Sequence, residues 1–192
     1  MTFAEVVKFH GHACPGLAFG FRVSEMALIE TCRSRDEELV AIVENNSCAV
    51  DAIQVMTGCT FGKGNLIFRD YGKQVYTFIR RDNEEAVRIA VIWPGLPEDE
   101  NSGKLWEKFA QGDRSPEVMQ TVKAGKAAKM KAILAADSSE LFAVSHLQLT
   151  VPKPARIFSS LRCSVCNEKV MEPRAKIIAD RVFCIPCSEK LQ

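Results

Sequence analysis

Cys163, Cys166, Cys184 and Cys187 form two C-x-x-C pairs with 17 residues between them, Asn167 to Phe183. That spacing closes a tetrahedral four-thiolate zinc site. Each pair bends the backbone so that two sulfurs face one ion, and the intervening segment is long enough for a hairpin that returns the second pair. A segment this short buries too little apolar surface to fold unaided, so zinc bound by four thiolates supplies much of the missing free energy. Disulfides are the competing use of the four cysteines, and nothing else in the sequence suggests secretion.

A second set of residues suited to chemistry is His10-Gly11-His12-Ala13-Cys14-Pro15-Gly16, which holds two of the three histidines beside a cysteine. Two glycines let the backbone turn tightly, and Pro15 starts a helix that leaves Cys14 at its N-cap or one residue before it. Free N–H groups and the helix dipole stabilise a thiolate there. The loop thus offers His10, His12 and Cys14 either as catalytic groups or as nitrogen and sulfur ligands for zinc or another divalent metal. The competing use is a glycine-rich turn whose histidines and cysteine are buried and hydrogen-bonded.

Cys48, Asp51 and Cys59 form a third cluster around a predicted helix over 49–57 closed by Gly58. Eleven residues of helix would hold Cys48 and Cys59 about 16 Å apart, so one of them, not both, is expected to join the His10 to Cys14 loop. Cys48 and Asp51 sit at a helix N-terminus, where α/β sites gather; the glycine-rich loop after Gly58 leaves Cys59 as the alternative. Gly62-Lys63-Gly64 lacks the full phosphate-loop spacing. His146, inside a predicted strand, reads as structural.

These groups need elements to position them. Pro15 opens a helix reaching Thr31, Leu39 to Glu44 is an apolar buried strand, and three strands follow at 65–69, 74–80 and 86–93. Turn-like joints at Tyr71-Gly72 and Asp82-Asn83 predict that these three form a meander. Helices are expected over 104–111 and 116–136, then a last strand over 140–151. The result is an α+β domain of about five strands. Val151 to Ser160, with two prolines and two serines, reads as a linker, which separates a core domain over 1–155 from a zinc finger over 156–192.

The chain has 192 residues, 47% hydrophobic and 26% charged, with a net charge of +1. No bulk electrostatic attraction to nucleic acid or to a membrane follows. Acidic residues Glu168, Glu172 and Asp180 offset the basic ones on the finger, which argues against phosphate binding there. No apolar run approaches the roughly 20 residues of a membrane helix, and no leader pattern opens the sequence. A cytoplasmic protein is expected.

FHGHACPGLAFGFR at 9–22, VENNSCAVDAIQVMTGCTFGKGNLIFRDYGK at 43–73, and the closing CSVC and CIPC pairs together resemble the FmdE family of formylmethanofuran dehydrogenase proteins in its longer form. The resemblance implies a thioredoxin-like core with a five-stranded mixed sheet flanked by helices, plus a small treble-clef zinc finger. It implies a site around the His/Cys motif that can hold zinc, with His10, His12, Cys14, Cys48, Asp51 and Cys59 as candidates and Lys63 and Lys73 as polar contributors. It also implies a homodimer and a role in redox or one-carbon metabolism, as an oxidoreductase subunit or accessory factor of a molybdenum or tungsten enzyme complex. The alternative is a non-enzymatic binding or regulatory protein whose finger docks a protein or nucleic-acid partner.

Overall fold

In the computed structural model, which describes residues 1–36, 38–97 and 100–191, the chain forms two units, Met1–Pro154 and Ala155–Gln192. The first is built on the apolar run LVAIV, which is strand β1 (Leu39–Val43). On one side β1 pairs in parallel with β2 (Leu66–Phe68), and on the other antiparallel with β3 (Val75–Arg80). β3 continues antiparallel into β4 (Glu85–Val91), and β4 into β5 (Phe142–Gln148). The order is β2-β1-β3-β4-β5, a five-stranded mixed sheet, as expected for the family.

The expected meander over 65–69, 74–80 and 86–93 is corrected in one place: β2 and β3 are not neighbours, because β1 lies between them. A helix intervenes between β1 and β2, and a crossover through a helix returns the chain parallel to its starting strand. Three residues long and exposed at Phe68, β2 is suited to the edge.

Six helices complete this unit: α1 (Phe3–His10), α2 (Pro15–Glu30), α3 (Ala49–Thr57), α4 (Glu100–Ala110), α5 (Pro116–Ala135) and the single turn α6 (Ser138–Leu141). Ala18, Val23 and Ala27 of α2, Ile53 of α3 and Ile133 of α5 close over Ala41, Val43, Tyr76, Phe78 and Ile89 of the sheet. A second cluster, Val6, Leu17, Phe21, Ala52 and Met56, joins α1 to α2 and α3.

Two contacts fix α2. At Gly20 the helix crosses α3 so closely that a Cβ there would overlap the Ala49 carbonyl oxygen and lie 2.6 Å from the Ala49 Cα. Near the middle of α2, Arg22 donates from Nη1 to the carbonyls of Ile133 at 2.7 Å and Ala136 at 2.8 Å, and from Nη2 to Ser138 Oγ at 3.2 Å. The guanidinium thus satisfies carbonyls that the end of α5 leaves without helical partners.

The second unit is two short hairpins and a turn of helix. β6 (Ser160–Arg162) pairs with β7 (Lys169–Met171), β8 (Lys176–Ile178) pairs with β9 (Arg181–Phe183), and α7 (Ile185–Glu189) follows. Among its described residues only Cys163, Phe183 and Ser188 are buried. No helix of the described chain is long and apolar enough to cross a membrane.

Candidate metal centre

In the finger the four sulfurs of Cys163, Cys166, Cys184 and Cys187 lie within 4.8 Å of one another. The first pair sits on a tight turn: Asn167 N–H donates to the Cys163 carbonyl at 2.9 Å, with Asn167 left-handed at φ 61°. Cys184 is the N-cap of α7 and Cys187 lies within that helix. Backbone N–H groups aimed at Cys163 hold its thiol down at about 6. The neighbouring Cys184 thiol, then burial, push Cys187 up to about 12. Four sulfurs this close do not all ionise without a cation among them, so metal binding and deprotonation are one event.

The first unit gathers its donors from three helix ends. Thr2 and Glu5 form a capping box that starts α1, which carries His10 as its last residue. Gly11, left-handed at φ 93°, ends the helix with its N–H on the Val7 carbonyl at 2.8 Å. That turn places His12 beside His10, ring centroids 4.5 Å apart. Cys14 is the N-cap of α2, its Sγ accepting from the Leu17 N–H at 3.4 Å, and Cys48 is the N-cap of α3. The close crossing at Gly20 brings these two N-termini together.

His10, His12, Cys14 and Cys48 consequently offer ligand atoms that all lie within 4.8 Å of one another. Tetrahedral zinc with two nitrogens and two sulfurs needs ligand separations of about 3.3–3.8 Å, a contraction that side-chain rotation supplies. His10 carries the sharpest signature of a ligand. Its Nδ1 is 2.7 Å from Asp51 Oδ2, while its Nε2 is buried with no hydrogen-bond partner among the described residues. A buried ring nitrogen without a partner is costly unless something electrophilic fills the position. A carboxylate on the opposite nitrogen is the usual support for a metal-ligating imidazole. Burial and the adjacent Cys14 thiol raise the pKa of Cys48, the response of two thiols sharing a site that awaits a cation.

Not every residue singled out from the sequence arrives here. Cys59 does not join the group: it emerges from the far end of α3, is wholly buried, and donates its thiol to the Leu39 carbonyl at 3.3 Å. Burial pushes its thiol up to about 11, so Cys59 is a core residue. Asp51 touches His10 rather than the space between the ligands, which makes it a positioning residue instead of a catalytic one. Lys63 follows the same far end of α3, and Lys73 enters through its backbone carbonyl, which accepts from Asn45 Nδ2 at 2.7 Å. His146 is exposed on β5, 3.3 Å from Glu30. Sequence reasoning missed α1 and with it the helix end that aims His10 at the site, although Thr2-x-x-Glu5 is a legible helix start.

The family model described as FmdE, molybdenum formylmethanofuran dehydrogenase operon, matches residues 9–143, and that of the prokaryotic dksA/traR C4-type zinc finger matches residues 156–192. A probable S-adenosyl-L-methionine-binding protein of Archaeoglobus fulgidus is 32% identical over 183 residues, covering 88% of this chain; the chain spans 48% of that relative's length. The crystal structure of an FmdE-like protein of tungsten formylmethanofuran dehydrogenase from Syntrophus aciditrophicus has a TM-score of 0.62 and 19% identity, covering 99% of this chain and 94% of that one. That likeness concerns the fold.

Proposed function

Because this chain belongs to the FmdE family, with a C4-type zinc finger appended, we propose that its His/Cys group is a working divalent-metal site, most simply zinc, in a protein of redox or one-carbon metabolism. The observation that carries this is the His10 imidazole, held by Asp51 on one nitrogen and buried without a partner on the other. Bound there, a divalent cation supplies Lewis acidity to a polarised substrate oxygen.

The residues divide the work. Asp51 fixes the proton on His10 Nδ1 and so keeps the Nε2 lone pair available. Cys14 and Cys48, both half-buried, provide negative charge at two helix N-termini that favour it. His12 is the exposed member of the group, so the ligand position it occupies is the one that solvent or substrate reaches. A site with three fixed donors and one exchangeable position is the arrangement that catalytic zinc uses. The finger, by contrast, is closed by four cysteines and is structural. The partly exposed Val144 and Leu147 on edge strand β5 support assembly of this protein as a homodimer, which light scattering of the full chain checks.

Elemental analysis of the full chain, purified anaerobically without added metal, tests the reading. Two metal ions per chain are expected, falling to one in His10→Ala with the finger's zinc retained. In His12→Ala the second ion should remain but bind more weakly. One ion per chain in the unaltered protein overturns the proposal.

A further inference from the structure

Beside the metal-ligand loop lies a cavity of about 650 Å³ that the ligands themselves do not explain. Its rim includes Ala13, the residue between His12 and Cys14, and its opposite wall is one face of α5 backed by Phe109 of α4. A molecule seated in it therefore lies against the backbone that carries two of the metal's four donors.

The lining has two chemistries. Val122, Met119, Met130 and Phe109 give it an apolar floor and sides, with methionines that adjust to the shape of what they meet. Lys123 and Lys126, one turn apart on α5, are the only charged groups in the described lining. Lys126 lies 5.4 Å from the centre of the Phe109 ring. Neither lysine forms an ion pair with a described residue. Two cations at the edge of an apolar hollow, with no carboxylate in the lining to offset them, complement a negative charge at one end of an apolar molecule.

We propose that this cavity is the substrate pocket of the metal centre and takes a small organic anion with an apolar body. The acid group sits between Lys123 and Lys126, the body lies over Met119, Val122 and Met130 against Phe109, and the end nearest Ala13 faces the position held by His12. For what the ligand is delivered to, this rests on the metal-site reading; for where it binds, it does not. A net cation such as a sulfonium is the opposite of what the two lysines select.

The test uses 8-anilinonaphthalene-1-sulfonate, an apolar body with one anionic group, and N-phenyl-1-naphthylamine, nearly the same body without the charge, each titrated into the full chain by fluorescence. Saturable one-to-one binding of the sulfonate is expected, weakened roughly tenfold or more in K123Q/K126Q, with the uncharged probe unaffected. Ala127→Phe, an exposed helix position that lines the cavity, should abolish binding of both. No binding of the sulfonate, equal binding to K123Q/K126Q, or indifference to Ala127→Phe overturns the assignment.

A second measurement separates it from the metal reading. In cobalt-loaded protein the protons of the bound sulfonate probe should relax faster than in zinc-loaded protein. The difference should vanish in Cys14→Ser, which keeps cobalt in the finger alone. If the probe binds as expected but shows no cobalt effect while the first unit holds its metal, the cavity does not serve that centre and the proposal is overturned. If the first unit takes up no metal, it is the metal reading that fails, and with it the substrate role.

Discussion

The two cysteine-rich regions of this molecule hold ligands at the same mutual distance, within 4.8 Å, by opposite means. In the finger the ligands are near one another in sequence, and only Cys163, Phe183 and Ser188 are buried among the described residues; the metal takes the place of a core. In the first unit the donors come from the ends of α1, α2 and α3, and a core of sheet and helices holds those ends where they are. One region is folded by its metal, whereas the other is folded for it. The difference teaches that equal ligand geometry says nothing about which way the dependence runs.

The largest expected effect breaks the comparison at the finger. Cys163→Ser or Cys184→Ser removes one thiolate from a site whose metal binding is worth about 10–16 kcal/mol, so the tail should lose zinc and become protease-sensitive while Met1–Pro154 stays folded. Limited proteolysis followed by mass spectrometry reads both halves at once. Retention of the finger's zinc in both variants would show that four thiolates are not what holds it.

Gly20→Ala comes next and attacks the other side. The added methyl overlaps the backbone of Ala49, and the crossing of α2 and α3 must open to admit it, at a cost of about 3 kcal/mol. Urea denaturation should show that loss for the first unit, together with weaker metal uptake there and unchanged zinc in the finger. A variant as stable as the parent would mean that the helices cross with more room than described.

Asp51→Asn sharpens the comparison without disturbing the fold. Replacing a carboxylate by an amide on His10 Nδ1 should weaken metal binding in the first unit by roughly 10–100-fold. Thermal stability of the metal-free protein should barely move. Competition with a chromophoric chelator gives the affinity; an unchanged value would remove Asp51 from the site.

The smallest effect concerns Cys59. Cys59→Ala should cost about 1 kcal/mol and leave the metal content as it was. Since the folded thiol sits at about 11 against an ordinary value of 9.0, ionisation favours the unfolded chain as pH rises through that interval. The parent protein should therefore lose stability between pH 9 and 11 by on the order of 2 kcal/mol relative to the variant. Parallel losses in both proteins would mean that the thiol does not titrate as its burial requires.

How much can be read from the sequence follows the same division. The finger is legible because its four ligands are spaced by local turns, and a repeated C-x-x-C announces them. The strands and the helices α2, α3 and α5 are legible from apolar runs, Pro15 and Gly58. What sequence does not supply is the meeting of distant ends. That Cys48 rather than Cys59 reaches Cys14 depends on the direction in which α3 runs against α2, a matter of packing at Gly20 and Ala49. The place of β1 between β2 and β3 is likewise a property of the crossover through α3. In sequence Lys123 and Lys126 are two more charges on a lysine-rich helix, since only tertiary structure puts them across a hollow from Ala13.

The clasp of Arg22 on the end of α5 also bears on the order in which the molecule is built. The metal donors all lie within the first 48 residues, with Asp51 just after, so on a growing chain they can meet once α3 has emerged and packed on α2. The pocket wall cannot form until α5 arrives, 111 to 114 residues after Arg22 in sequence, when its carbonyls reach that guanidinium. A nascent protein would thus hold its ion before it could hold its substrate. Pulsed hydrogen exchange during refolding should find the amides of α2 and α3 protected ahead of those of α5, and simultaneous protection would contradict that sequence of events.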